Sequence, residues 1–176
     1  MASANTLFKK ILNVKDIVVK TQDFYTDKDG VKHLRIYARP TARKNNCCPF
    51  CGKKSPRYDL SNNARKVWRG LDWGGIIVEI ECPTHRVKCE EHGVVTADVP
   101  WAYPGSSFTK EFDLTVAWLA TYLPRSAVSN YMRIDWATVG RCISRTLNDI
   151  EPERSRRLNG LVNIGILYQS DAADDL

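Results

Sequence analysis

The chain has 176 residues, a length that suits one large domain or two small ones, and 43% of them are apolar, enough for an ordinary packed core. Lys and Arg outnumber Asp and Glu by 26 to 20, giving a formal charge of +6 and a sequence pI near 9.0. That balance favours polyanionic partners and says nothing of fold. No apolar run approaches the roughly 18 residues of a membrane span, and Met1 to Lys10 lacks the apolar core of a secretory signal. A cytosolic location is therefore expected, and in that reducing compartment six cysteines read as metal ligands or buried thiols rather than disulfides.

In chain order, Ile17 to Phe24 alternates loosely, Asp27-Lys28-Asp29-Gly30 is a turn signal, and His33 to Arg39 alternates again. This pattern predicts a β-hairpin with Lys32, Arg35 and Arg39 at polar positions. A basic, turn-rich stretch runs to Pro56. Val67 to Asp72 and Ile76 to Cys82 predict strands broken by Gly74-Gly75, and His85 to Cys89 and Val94 to Val99 predict two shorter ones. A module of such short strands has a modest core and needs a staple. Pro100-Trp101-Ala102-Tyr103-Pro104-Gly105 marks a connector. From Thr109 the spacing turns helical, with Phe112, Val116, Leu119, Ala120 and Leu123 on one face and Pro124 as the stop. A second helix is predicted from about Ser126 to Met132, and a third from an Asp135 N-cap to about Leu147. Glu151 to Arg157 reads as charged and solvated, and Ser170 to Leu176 as a disordered acidic tail. The expected fold class is α+β: a β-rich, zinc-ribbon-like module over 1–100, a connector over 101–107, an all-α helix-turn-helix over 108–150, and a charged linker and tail over 151–176.

The strongest chemical signal is Cys48-Pro49-Phe50-Cys51-Gly52 paired with Cys89-Glu90-Glu91-His92-Gly93. A tetrahedral zinc ion is well served by two short knuckles, each donating ligands two residues apart. Gly52 and Gly93 would relieve crowding where the backbone turns under the metal. Four protein ligands, Cys48, Cys51, Cys89 and His92, would close the site and make the ion structural. Other assignments stay open. Cys82-Pro83-Thr84-His85 has the same spacing but no following glycine, Cys47 could replace Cys48 by a one-residue slip, and the thiols could be redox-active or simply buried. Cys142 reads as a small core residue.

Between Arg125 and Leu147, two predicted helices are joined by a short turn at Arg133-Ile134-Asp135, the connection of a helix-turn-helix, whose second helix enters the major groove. Val128, Met132, Ile134, Val139 and Cys142 or Ile143 would form the shared core, and the small Ser129 would let the helices approach. The third helix then offers Trp136, Thr138, Arg141, Ser144 and Arg145 to DNA, with Arg141 and Arg145 one turn apart. The alternative is an ordinary three-helix packing unit with arginines on its wet face. The β-rich module adds Arg43, Lys44, Lys53, Lys54, Arg57, Arg65, Lys66 and Arg69 as phosphate-seeking groups, with Asn62 and Asn63 nearby and Tyr58 and Trp68 interleaved.

The ordered series Cys48-Pro49-Phe50-Cys51-Gly52, Trp68-Arg69-Gly70-Leu71-Asp72, His85-Arg86-Val87-Lys88-Cys89, His92-Gly93-Val94, Val99-Pro100-Trp101-Ala102, Phe108-Thr109, Arg133-Ile134-Asp135-Trp136 and Thr138-Val139-Gly140-Arg141 resembles the amino-terminal part of bacterial insertion-sequence transposases of the ISL-three family, from about Leu7 to Ile166. The resemblance implies recognition of terminal inverted repeats in double-stranded DNA by the zinc finger and the helix-turn-helix. It also implies a bacterial, nucleoid-associated location. In that family a ribonuclease-H-like domain with an Asp-Asp-Glu triad follows. Its first catalytic strand resembles Ile-Gly-Ile-Asp, where this chain reads Ile164-Gly165-Ile166-Leu167 and then runs only to Leu176. Strand transfer needs carboxylates on rigid elements, and Asp171, Asp174 and Asp175 in a short polar tail are no substitute. The expectation is a DNA-binding chain without catalytic residues, a regulator or inhibitor of transposition acting as a homodimer or with a full-length transposase. A protein-interaction module of a larger nucleic-acid complex is the competing expectation.

Overall fold

A computed structural model describes residues 4–58 and 64–158. The elements are α1 (Ala4–Ile11), β1 (Ile17–Thr26), β2 (Lys32–Pro40), β3 (Arg65–Arg69), β4 (Ile77–Pro83), β5 (Arg86–Cys89), β6 (Gly93–Thr96), α2 (Lys110–Leu119), α3 (Arg125–Met132) and α4 (Trp136–Leu158). This is the α+β arrangement read from the sequence, with strands first and helices after.

The predicted hairpin forms: β1 and β2 pair antiparallel from Ile17 opposite Pro40 to Thr26 opposite Lys32. Asp27 fixes its turn by accepting the Asp29 and Val31 amides at 2.9 and 2.8 Å. The sheet order is β1-β2-β4-β3, with β4 parallel to β2 and antiparallel to β3. One face is apolar: Ile17, Val19, Leu34, Ile36, Ala38, Val78, Ile80 and Cys82 are buried there. Phe8 of α1 covers one end of it, and Trp101 covers the other, edge-on to Trp68 with ring centroids 5.7 Å apart. The opposite face is charged and self-neutralising. Arg35 meets Glu79 at 2.9 Å, and Arg65 meets Glu81 at 2.9 Å.

Helix α1 has no counterpart in the sequence reading, although Leu7, Phe8, Ile11 and Leu12 carry helical spacing. Two further differences concern the expected boundaries. The pair of strands between the knuckles belongs to the large sheet, and the small ribbon is β5–β6 alone. Helix α4 does not stop near Leu147 but continues through the charged stretch to Leu158, past Pro152, whose ring nitrogen cannot donate to the fourth carbonyl before it. Glu and Arg are good helix formers, and that preference prevails over the linker reading. The tail from 159 onward, with position 167, and Asn62 and Asn63 lie outside the described residues.

The three C-terminal helices share one core of Phe112, Val116, Val128, Met132, Val139 and Cys142, with Ile134 and Ile143 packed against it. Of the expected face of α2, only Leu123 lies in the open. Thr109 caps α2 by accepting the Phe112 amide at 3.3 Å. Arg133 ends α3 in the left-handed region, at φ 54°, and Ser129 closes the turn by donating to the Ile134 carbonyl at 2.6 Å. Ser129 is thus a turn lock as well as a small spacer. Asp135 caps α4 through the Thr138 amide at 2.8 Å.

The connector is no loose tether. The Arg69 amide donates to the Ser107 carbonyl and the Thr109 amide to the Arg69 carbonyl, both at 2.9 Å, and the Lys110 amide reaches the Trp101 carbonyl at 2.7 Å. These bonds weld the helical unit to the edge of the sheet at β3. Inside the unit, Asp113 is fully buried and takes two bonds from the Arg145 guanidinium, each 2.8 Å. Removing one member of such a pair strands the other. Asp113→Ala should therefore cost about 3 kcal/mol in urea denaturation, while Asp113→Leu combined with Arg145→Met should recover much of it.

Candidate metal centre and nucleic-acid interface

The first knuckle is a tight loop in which the Cys48 amide donates to the Lys53 carbonyl at 2.9 Å and the Gly52 amide to the Cys48 carbonyl at 3.0 Å. The second is the turn of the β5–β6 ribbon, where Cys89 pairs with Gly93. Gly52 and Gly93 both adopt positive φ, 70° and 67°, as the knuckle turns require. The knuckles meet because residues 56–58 run beside β5: the Lys88 amide donates to the Pro56 carbonyl at 2.9 Å and the Tyr58 amide to the Arg86 carbonyl at 2.8 Å.

Four ligand atoms, from Cys48, Cys51, Cys89 and His92, lie within 4.8 Å of one another. Cys51 Sγ is 3.6 Å from Cys89 Sγ, and His92 Nδ1 is 3.7 Å from the sulfurs of Cys48 and Cys89. A tetrahedral ion with bonds of about 2.3 Å to sulfur and about 2.0 Å to nitrogen spaces its ligands by roughly 3.5–3.8 Å. The three pairs at 3.6–3.7 Å match that spacing, and the four donors could hold a metal ion. The Cys89 thiol is held down to about 6 by the His92 side chain, then by the His92 and Glu91 amides and its bond with Cys51. At Cys51 the Lys53 amide pulls the thiol down most, but burial and the thiols of Cys89 and Cys48 outweigh it and leave it raised. Either sulfur of the Cys51–Cys89 contact could donate, and a divalent ion bound here would displace the thiol protons.

The competing assignments resolve. Cys82 lies in the sheet core, where burial pushes its thiol up to about 11. His85 Nε2 sits 2.6 Å from Asn46 Oδ1, away from the cluster. Cys47 is buried beside the Arg43 carbonyl, and Cys142 is the core residue expected.

The arginines and lysines separate into committed and displayed groups. Arg145, read from the sequence as facing DNA alongside Arg141, is turned inward onto Asp113; its pKa is raised first by the hydrogen bonds it donates to that carboxylate. Thr138 is buried and its hydroxyl bonds Asp135, so it is an end-cap partner rather than a displayed group. Arg69 and Lys66 are also spent within the fold. Arg69 Nη1 donates to the Arg133 carbonyl at 3.1 Å, and its guanidinium lies over the Phe112 ring, 5.2 Å from the centroid. Lys66 donates to the Ser106 carbonyl at 2.7 Å, and burial lowers its pKa. Lys53 pairs with Glu91, and Arg65 with Glu81.

What remains displayed on α4 is Trp136, Arg141 and Ser144. The Arg141 side chain is 62% exposed, donates to Thr138 Oγ1 at 2.6 Å and lies 3.6 Å from Asp135 Oδ2 in an exposed ion pair. On the β-rich module Arg43 and Lys54 are exposed, Arg57 is exposed while keeping a partner within the fold, and Lys44 is half-buried. The sequence reading passed over Arg125. It opens α3, its guanidinium lies 5.2 Å from the centre of the Trp136 ring, and its Nη1 is the nearest neighbour a Cβ on Gly140 would meet, at 3.8 Å. A basic residue at the start of the first helix of the pair was the signal available in the sequence.

A metal-ligand cluster on a β module, welded to a three-helix unit with a short-turn helix pair, is the build of a nucleic-acid-binding protein. Residues 97–146 match the helix-turn-helix domain of transposase family ISL3, in line with the resemblance read from the sequence. The transposase for insertion sequence element IS1557 of Mycobacterium tuberculosis, in strains CDC 1551 / Oshkosh and H37Rv, is 39% identical over 163 residues, or 91% of this chain. The chain spans 36% of the length of those relatives. No solved structure matches it. Among the described residues, no helix is long and apolar enough to cross a membrane.

Metal analysis checks the cluster directly. The purified chain should carry close to one ion per chain, lost in Cys51→Ser and Cys89→Ser and retained in Cys47→Ser and Cys82→Ser.

Proposed function

We propose that this chain recognises a specific duplex sequence, the terminal inverted repeat of an insertion element, by placing α4 in the major groove. The observation that carries this reading is the partition of the two α4 arginines. Arg145 is used up holding α2, whereas Arg141 stands in solvent on the face that also bears Ala137 and Ser144. Arg141 then reads a guanine edge, and Arg125 and Trp136 meet the flanking backbone. Arg43, Lys44, Lys54 and Arg57 add phosphate contacts from the β-rich module.

The ion in the Cys48, Cys51, Cys89 and His92 site is zinc, with a structural role. Three thiols and an imidazole converging within 4.8 Å make a closed zinc set once the thiols are deprotonated and leave no ligand position for chemistry. Strand cleavage is not assigned to this chain. Whether it works alone, as a homodimer, or beside a full-length transposase on bacterial DNA, its contribution is to find and occupy the element's ends. Occupancy of that kind would block or regulate transposition. A second reading, docking to a protein, draws on the exposed Leu114 and Trp118 of α2 and Tyr122 just after it.

Selection from a random duplex pool followed by binding titration tests the proposal. A single sequence family should emerge. On the selected duplex Arg141→Ala should weaken binding by about tenfold or more without loss of stability. Arg145→Ala should act chiefly by lowering stability. Equal affinity for selected and random duplex would overturn the specific reading, and a partner lost on Trp118→Ala with DNA binding intact would favour the second one.

A further inference from the structure

Between β3 and β4 the chain makes a short hairpin tip whose chemistry the helix-turn-helix reading leaves unused. Trp73 and Ile76 exchange two backbone bonds, 2.8 and 3.0 Å, across Gly74-Gly75. Both glycines have positive φ, 56° and 82°, and a Cβ on either would meet nothing within 4 Å. The glycines are therefore needed for the turn conformation and not for space, as in tight two-residue hairpins. This rigid tip displays Trp73, which is 46% exposed, next to an exposed Leu71.

The tip is fastened to the helix-turn-helix and not left to wave. Asp72 pairs with Arg133, the left-handed residue of the turn between α3 and α4, and with Arg69 at 3.4 Å. Arg69 in turn donates to the Arg133 carbonyl at 3.1 Å. A groove of about 580 Å³, lined by Leu71, Asp72 and Gly75 on the hairpin and by Tyr131 and Arg133 on the helices, runs along this joint. The residues that open a recognition helix approach the bases most closely. The turn immediately before them, and whatever is clamped to it, must then lie beside the duplex.

We propose that the β3–β4 tip is a second DNA-contacting element, a wing that sets Trp73 against the minor groove flanking the major groove read by α4. The proposal rests on the reading of α4 as the recognition helix. The tip is apolar at its point and cationic behind it, with two arginines against one aspartate in the clamp. That is the chemistry of an apolar wedge carried on a basic support in the minor groove. The occupant is the duplex already held by α4, because Asp72 of the tip is paired to Arg133 of the helix turn and the tip cannot lie far from it.

The test titrates the full chain and its Trp73→Ala, Trp73→Phe and Arg141→Ala variants against the duplex recovered by selection. Metal content and thermal unfolding check each variant's fold. Trp73→Ala should bind about tenfold more weakly, Trp73→Phe should recover most of that loss, and adenine N3 methylation at the flank should cease to matter in Trp73→Ala. If Trp73→Ala binds as the parent does while Arg141→Ala does not, the wing is overturned and the α4 reading stands. If neither variant weakens binding, the α4 reading falls and the wing with it. A Trp73→Ala effect seen only in sedimentation, as loss of self-association, assigns the tip to a second copy and also overturns the wing.

Discussion

The architecture turns on Arg69. Its backbone bonds to both Ser107 and Thr109, so the last residue of β3 carries the start of the helical unit as if it were a further strand. Its guanidinium then reaches Asp72, the Arg133 carbonyl and the Phe112 ring. One residue thus fixes the sheet edge, the entry to α2 and the turn before α4. The distance between the β-rich module and α4 is therefore set by the fold and not by a linker, so a partner that meets both surfaces meets them in fixed register. Two tethered modules would have had to lose freedom on binding; a welded pair has less to lose.

The same economy governs which charges are available to a polyanion. A net +6 suggests a diffusely basic surface, but much of that charge is locally matched. Arg35 and Arg65 answer Glu79 and Glu81, Lys53 answers Glu91, and Arg145 answers a buried Asp113. In the function proposed, affinity for DNA rests on the exposed set around Arg125 and Arg141, the latter paired only at the surface with Asp135, and on the loop of the first knuckle. The knuckle loop keeps its shape because four donors from two distant segments converge, and the β5–β6 ribbon and residues 56–58 bring them there.

Much of this was legible in the sequence. Paired Cys-x-x-Cys and Cys-x-x-His motifs with trailing glycines pointed to the four side chains that the fold brings together, because a knuckle is a local structure whose spacing is its geometry. The first hairpin and the short-turn helix pair were legible for the same reason. What escaped depended on long-range pairing. Nothing local distinguishes Arg145 from Arg141, since both sit one turn apart on a polar-looking face, and only the position of Asp113 across the core separates them. The role of Arg69 was hidden likewise: it read as a phosphate contact because its partners lie 3, 43 and 64 residues away in Asp72, Phe112 and Arg133. The parallel pairing of β2 with β4, and the extension of α4 past Pro152, were set by tertiary context and by helix propensity respectively.

The central claim is that α4 reads base edges in the major groove. Methylation interference on the selected duplex tests it most directly, because guanine N7 lies on the major-groove edge and adenine N3 on the minor-groove edge. The account predicts that N7 methylation of at least one guanine within the site abolishes binding by the parent chain and no longer discriminates in Arg141→Ala. Binding that is indifferent to N7 methylation at every guanine of the site would contradict it.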